Sequence, residues 1–176
     1  MQTIISEPMN RILETERLIL REFSLTDAEF IIELLNSPGW LRFIADRNEK
    51  STADAEKYLT NGPMKSYKEN GFGLSLVERK ADGAKIGMCG IIKRANLEYP
   101  DIGFAFLPGA GGKGYAFEIA RATLEYARNR LQLPKICAIT LEENERSIRL
   151  LEKLGLRFVR TMRFENSQEE LQLYCD

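Results

Sequence analysis

The residues best suited to chemistry in this chain are ones that lack side chains. Four glycines fall between Gly109 and Gly114, followed at once by Tyr115-Ala116-Phe117-Glu118-Ile119-Ala120. Backbone N–H groups in such a loop can approach a ligand closely. The loop feeds a predicted helix whose first N–H groups have no intrahelical acceptor and whose dipole favours anions. A phosphate-binding turn is the chemistry this implies. A second group lies downstream, where Asn144 and Ser147 stand three residues apart at the start of another predicted helix. There Asn144 serves as a cap, and Ser147 sits in the first turn, where serine is common as a capping partner. The 176 residues contain no histidine, which excludes Ser-His and Cys-His nucleophile pairs and any His-ligated metal.

The loop admits three descriptions. As a Walker loop it fails, because Gly112-Lys113 is followed by Gly114 where a Ser or Thr should reach magnesium. As a dinucleotide loop it fits literally, with Gly109, Gly111 and Gly114 spelling G-x-G-x-x-G between a strand and a helix. Its third description is Gly112-Lys113-Gly114-Tyr115-Ala116-x-Glu118.

The elements that must hold these residues can be read from periodicity. Asp101-Ile-Gly-Phe-Ala-Phe alternates like a strand and stops at Pro108. Ala116, Ala120, Leu124, Ala127 and Leu131 recur at helical spacing. A strand over 135–141 follows, parallel to the first, then the Asn144 helix closed by Gly155, then strands over 156–164 and 171–175. Upstream, a strand over 16–23 precedes a helix opened by Thr26-Asp27-Ala28-Glu29 and ended by Ser37-Pro38-Gly39. A second helix opens at Ser51-Thr52-Ala53-Asp54, and strands over 72–77 and 85–92 form a hairpin. One strand, two helices, three strands, then a single βαβ unit make a mixed sheet. A doubly wound dinucleotide fold wants consecutive βα units and usually opens with its glycine loop.

Four pieces together resemble the GNAT acetyltransferase superfamily, in particular its RimJ/RimL-like branch. They are Glu14-Thr15-Glu16-Arg17-Leu18-Ile19-Leu20-Arg21, Asp101-Ile102-Gly103-Phe104 with Leu107-Pro108, the loop from Gly112 to Glu118, and Asn144-x-x-Ser147 running into Leu151-Glu152-Lys153-Leu154-Gly155. The resemblance implies a single-domain α/β (mixed α+β) fold spanning 1–176, with a mostly antiparallel sheet and one splayed parallel pair. It implies acetyl transfer from acetyl-CoA directly to a primary amine, a protein N-terminus or a small molecule, with no metal. Backbone groups of Phe104, Phe106 and Leu107 would pair with the pantetheine arm. The amides of Gly112, Lys113, Gly114, Tyr115 and Ala116 would hold the pyrophosphate, and Asn144 would bond the pantetheine. The tyrosine that protonates the leaving thiolate in many relatives is Leu151 in this chain, and the RimJ/RimL-like branch uses the serine of its N-x-x-S motif, which implies Ser147 for that role. Gly111 stands where the family usually has Arg or Gln. The base that deprotonates the amine is one of Glu78, Glu98, Asp101, Glu142 and Glu143, and Trp40 and Phe43 fall in the acceptor segment. An NAD(P)-dependent oxidoreductase and a non-catalytic acyl-CoA-binding module are the alternatives.

Length and charge set the outer bounds. A chain of this size buries roughly 70% of its unfolded surface. A net charge of −1 points to neither nucleic acid nor an acidic membrane surface. No apolar run reaches membrane-spanning length and Met1-Gln2-Thr3-Ile4-Ile5 lacks a leader pattern, so a cytoplasmic protein, monomer or homodimer, is expected. Cys89, Cys137 and Cys175 are widely spaced and are expected to be buried small hydrophobes.

Overall fold

The computed structural model describes residues 10–45, 48 and 50–176. The Met1–Ile5 stretch read above for a leader pattern lies outside them. Eight strands form one sheet: β1 (Arg11–Glu14), β2 (Leu18–Arg21), β3 (Leu74–Arg79), β4 (Lys85–Ile92), β5 (Asp101–Phe106), β6 (Cys137–Thr140), then β8 (Leu171–Cys175) inserted before β7 (Arg157–Met162). Every neighbouring pair is antiparallel except β5 and β6. Two successive residues of β4 show how the layers arise. Met88 enters one core and Cys89 the other, because side chains along a strand alternate between faces. Helices α5 (Tyr115–Asn129) and α6 (Glu145–Lys153) bury Ile119, Ala120, Leu124, Ala127 and Leu151 in the core with Cys89. Helices α1 (Ala28–Leu35), α2 (Pro38–Phe43) and α3 (Thr52–Asn61) supply Ile31, Leu34, Trp40, Ala55 and Leu59 to the core with Met88. Helix α4 (Pro63–Asn70) adds Met64 to its margin.

This is the expected mixed sheet with one parallel pair. Several local readings change. Pro38 does not only end α1; it occupies the first turn of α2, where its missing N–H costs nothing. Pro63 starts α4 in the same way. The first helical cap is Ser24 rather than Thr26: Asp27 accepts a bond from Ser24 N at 2.9 Å, and Asp27 itself is fully buried. The Ser51–Asp54 capping box forms as read.

The cysteines divide. Cys89 is a buried thiol in contact with Thr123, and burial pushes its pKa up to about 12, so it is inert. Cys137 and Cys175 are not independent core residues; they stand opposite each other on β6 and β8 and are disulfide-bonded. Sheet pairing joins two positions 38 residues apart, which no local spacing in the chain reports.

Candidate active site

The parallel pair is the least complete part of the sheet. Strands β5 and β6 share a single register pair, Asp101 with Cys137, beside a bond from Cys137 N to the Pro100 carbonyl. Beyond that point they part, and a cleft of about 1000 Å³ opens between them. Gly103, Phe104 and Ala105 line one side, and Ala138, Ile139 and Thr140 the other. The edge of β5 facing the gap keeps unpaired backbone donors and acceptors, the arrangement to which an extended ligand can add as a strand.

The start of α6 forms part of the rim. Asn144 caps the helix by accepting a bond from Ser147 N at 3.3 Å, and both side chains line the cleft. Leu151, one turn on, is 1% exposed and closes the wall where a tyrosine would have brought a hydroxyl. Trp40, Phe43, Tyr58 and Glu69 from α2, α3 and α4 face them across the opening. Trp40 is at once a cleft and a core residue, being 6% exposed.

Of the five carboxylates considered as bases, only Asp101 lines the cleft. It is 1% exposed and accepts a bond from Arg94 Nε at 2.9 Å. Burial raises its pKa above the ordinary carboxylate value, against the opposing pull of Arg94. Glu98, Glu142 and Glu143 are exposed and do not line the cleft, and Glu78 is bound to Arg21 at 2.7 Å.

The glycine loop lies at the end of β5, after a 3₁₀ turn at Pro108–Ala110. Gly112 and Gly114 take φ of +76° and +78°, a backbone conformation that only glycine adopts without strain. Gly114 opens α5 with no capping side chain, and the first helical bond runs from Glu118 N to its carbonyl. The N–H groups of Tyr115, Ala116 and Phe117 therefore have no acceptor within the helix. Phe106, Leu107 and the residues from Gly112 to Ala116 do not line the cleft itself; they continue from its wall into the loop. The Tyr115 ring is buried in the core and leaves only its backbone to a ligand.

What periodicity did not reveal is how this loop is held. Glu118 accepts from Thr15 Oγ1 at 2.6 Å, Arg17 N at 2.9 Å and Arg17 Nε at 2.7 Å. The same guanidinium donates to the Lys113 carbonyl at 2.9 Å and lies 4.5 Å from the centre of the Tyr115 ring. Burial would raise the Glu118 carboxyl, but these donors hold it below its ordinary value. The signal was present in the chain, since Thr15, Arg17 and Glu118 all belong to the quoted motifs, but their mutual contact is not legible without the fold.

The family model for the acetyltransferase (GNAT) domain matches residues 17–157. The chain belongs to the GNAT acetyltransferases. YkkB of Bacillus subtilis (strain 168), an uncharacterized protein, is 32% identical over 154 residues, covering 86% of this chain and 88% of that one. YnaD of the same organism, an uncharacterized N-acetyltransferase, is 29% identical, with 82% of each chain covered. Among solved structures, RimL, the ribosomal L7/L12 alpha-N-protein acetyltransferase in complex with coenzyme A, superposes with a TM-score of 0.81 at 13% identity, over 95% of this chain and 97% of that one. The GNAT domain makes the chain an acetyl-CoA-dependent acyltransferase acting on an amine. It sets aside the oxidoreductase reading of G-x-G-x-x-G, whose doubly wound sheet is also absent among the described residues. No helix among the described residues is long and apolar enough to cross a membrane.

Proposed function

We propose that this GNAT enzyme transfers acetyl from acetyl-CoA directly to a primary amine, with both substrates bound together in the β5–β6 cleft. The observation that carries the reading is the parting of these strands beside a glycine loop that opens a helix. The pantetheine arm runs along the edge of β5 from Phe104 to Leu107, and Asn144 bonds it from the other rim. The diphosphate lies against the amides from Gly112 to Ala116; beside Gly112 no atom stands within 4 Å of where a β-carbon would be, so a ligand has room. Asp101 takes the proton from the acceptor ammonium or amine. The amine nitrogen bonds to the thioester carbon, a backbone N–H of β5 supports the oxyanion, and the carbon–sulfur bond breaks. Ser147, whose hydroxyl has no hydrogen-bond partner among the described residues, gives a proton to the leaving thiolate.

The acceptor enters past α2–α4. A protein N-terminus, as the name of RimL states for that protein, or a small-molecule primary amine suits a cleft open to solvent. Residues 1–176 act as one catalytic domain in the cytoplasm, as a monomer or homodimer.

Thermal melting with coenzyme A, acetyl-CoA, NAD and NADP tests the donor. Ligand at about 100 times its dissociation constant adds ~2.7 kcal/mol. A rise in Tm with the coenzyme A pair alone is expected, whereas a rise with NAD alone would reject the reading. With a responsive amine in hand, Asp101→Asn should lower kcat by about 10²–10⁴-fold while coenzyme A affinity stays the same. Because the Asp101 pKa is raised, wild-type rate should fall as the pH drops through that value, and the variant should lose this limb of the profile. An unaltered rate and profile would remove Asp101 as the base.

A further inference from the structure

Gly111 leaves the loop without a side chain at the position just before its two left-handed glycines. The space it leaves is not empty. A β-carbon built there would stand 3.2 Å from Arg146 Nη2 and 4.0 Å from Nη1. Arg146 belongs to the first turn of α6, between the cap Asn144 and Ser147, so its guanidinium reaches from the rim of the cleft back over the loop. We propose that Arg146 is a donor-binding residue, supplying a side-chain cation to the diphosphate held by the loop.

Three observations favour this over a solvated surface arginine. First, Arg146 has no ion pair or hydrogen bond among the described residues, although Glu145 is adjacent; Glu145 is instead 3.5 Å from Arg149. Second, two turns further along the same side of α6, Lys153 Nζ sits 4.2 Å from the centre of the Phe117 ring in the first turn of α5. The face of α6 turned to the start of α5 thus carries two cations. Third, the nearby acid, Glu118, is already engaged by Arg17 and Thr15, so it does not neutralise them. An unpaired guanidinium over backbone N–H groups is poised for an anion, and its planar fork suits two phosphate oxygens.

The inference rests on the donor reading above, and calorimetric titration of the full chain separates the two. If the wild-type chain binds neither coenzyme A nor dephospho-coenzyme A, the donor reading falls and this inference with it. If wild type binds, Arg146→Ala should weaken both ligands by about tenfold, since both carry the diphosphate. The unliganded Tm should not change, because the side chain is exposed and unpaired. Equal affinity in variant and wild type would overturn the role of Arg146 alone. A loss with coenzyme A that vanishes with dephospho-coenzyme A would move the contact to the 3′-phosphate and overturn the diphosphate assignment. Gly111→Arg added to Arg146→Ala should restore most of the affinity. Residue 111 has φ −71° and ψ 154°, open to any side chain, so failure of this rescue would also count against the placement.

Discussion

Strand β2 ends in an arginine and is preceded by another, and the two are used in opposite ways. Arg21 turns towards the face of the sheet covered by α1–α4. It grips Asp27 with two bonds of 2.9 Å and Glu78 with one of 2.7 Å, while Lys85 reaches the same aspartate at 2.7 Å. The Arg21 side chain is 3% exposed and that of Asp27 is 0%. Arg17 turns towards the donor loop and grips Glu118 just as closely, yet its side chain is 43% exposed. The chemistry is nearly the same at both ends; the solvent is not. Charges withdrawn from water must stay paired or the fold loses several kcal/mol, whereas a half-exposed pair can part at little cost. The start of α1 is therefore bolted to the sheet, and the glycine loop is held by a clasp.

The largest expected effect breaks the buried end. Asp27→Ala should cost about 3–5 kcal/mol, roughly 10 °C in Tm by calorimetry, because Arg21 is left buried and short of its partner. Arg21→Lys should cost about 2 kcal/mol through loss of the fork, against under ~1 kcal/mol for Arg17→Lys. Acid sharpens the contrast. Burial alone would raise Asp27, but Arg21, Lys85 and the Ser24 amide hold it down to about 2 from 3.8. A depressed carboxyl stabilises the fold above its unfolded pKa, so this contribution should be complete above pH 4 and vanish towards pH 2. Tm measured over that range in wild type and Asp27→Asn should converge at the acid end. Glu118→Gln should cost only about 1 kcal/mol, with a several-fold rise in KM for the donor as its readout. The smallest effect is that of salt. At about 1 M the cost of Glu118→Gln should shrink while that of Asp27→Ala stays, since exposed pairs are screened and buried ones are not. Equal salt sensitivity at both ends would contradict the contrast.

The half holding the glycine loop could be read in the chain because its backbone geometry demands particular residues. Gly112 and Gly114 must be glycine to take positive φ, Pro108 must end a strand, and Asn144 must cap a helix. Each demand leaves a mark at fixed spacing. Two other elements leave no such mark. Helix α4 reads Pro-Met-Lys-Ser-Tyr-Lys-Glu-Asn, too polar to show an apolar stripe, and the four residues of β1 are too few to show alternation. Asp27 stands in a capping sequence, yet its charged partners come from β2 and β4, which no local pattern reports. Arg146 and the Cys137–Cys175 bridge escaped for a similar reason, since both are facts of tertiary contact. That Asp101, of the five acids, lines the cleft is likewise a fact of the folded chain.

The single register pair between β5 and β6 has a bearing on the life of the protein outside catalysis. An enzyme without its donor carries two bare strand edges inside its own sheet, the kind of surface on which chains stick to one another. A donor seated along β5, as proposed above, would cover one of them and add stability by mass action. The melting temperature and solubility of the purified protein would then rise with the concentration of donor added.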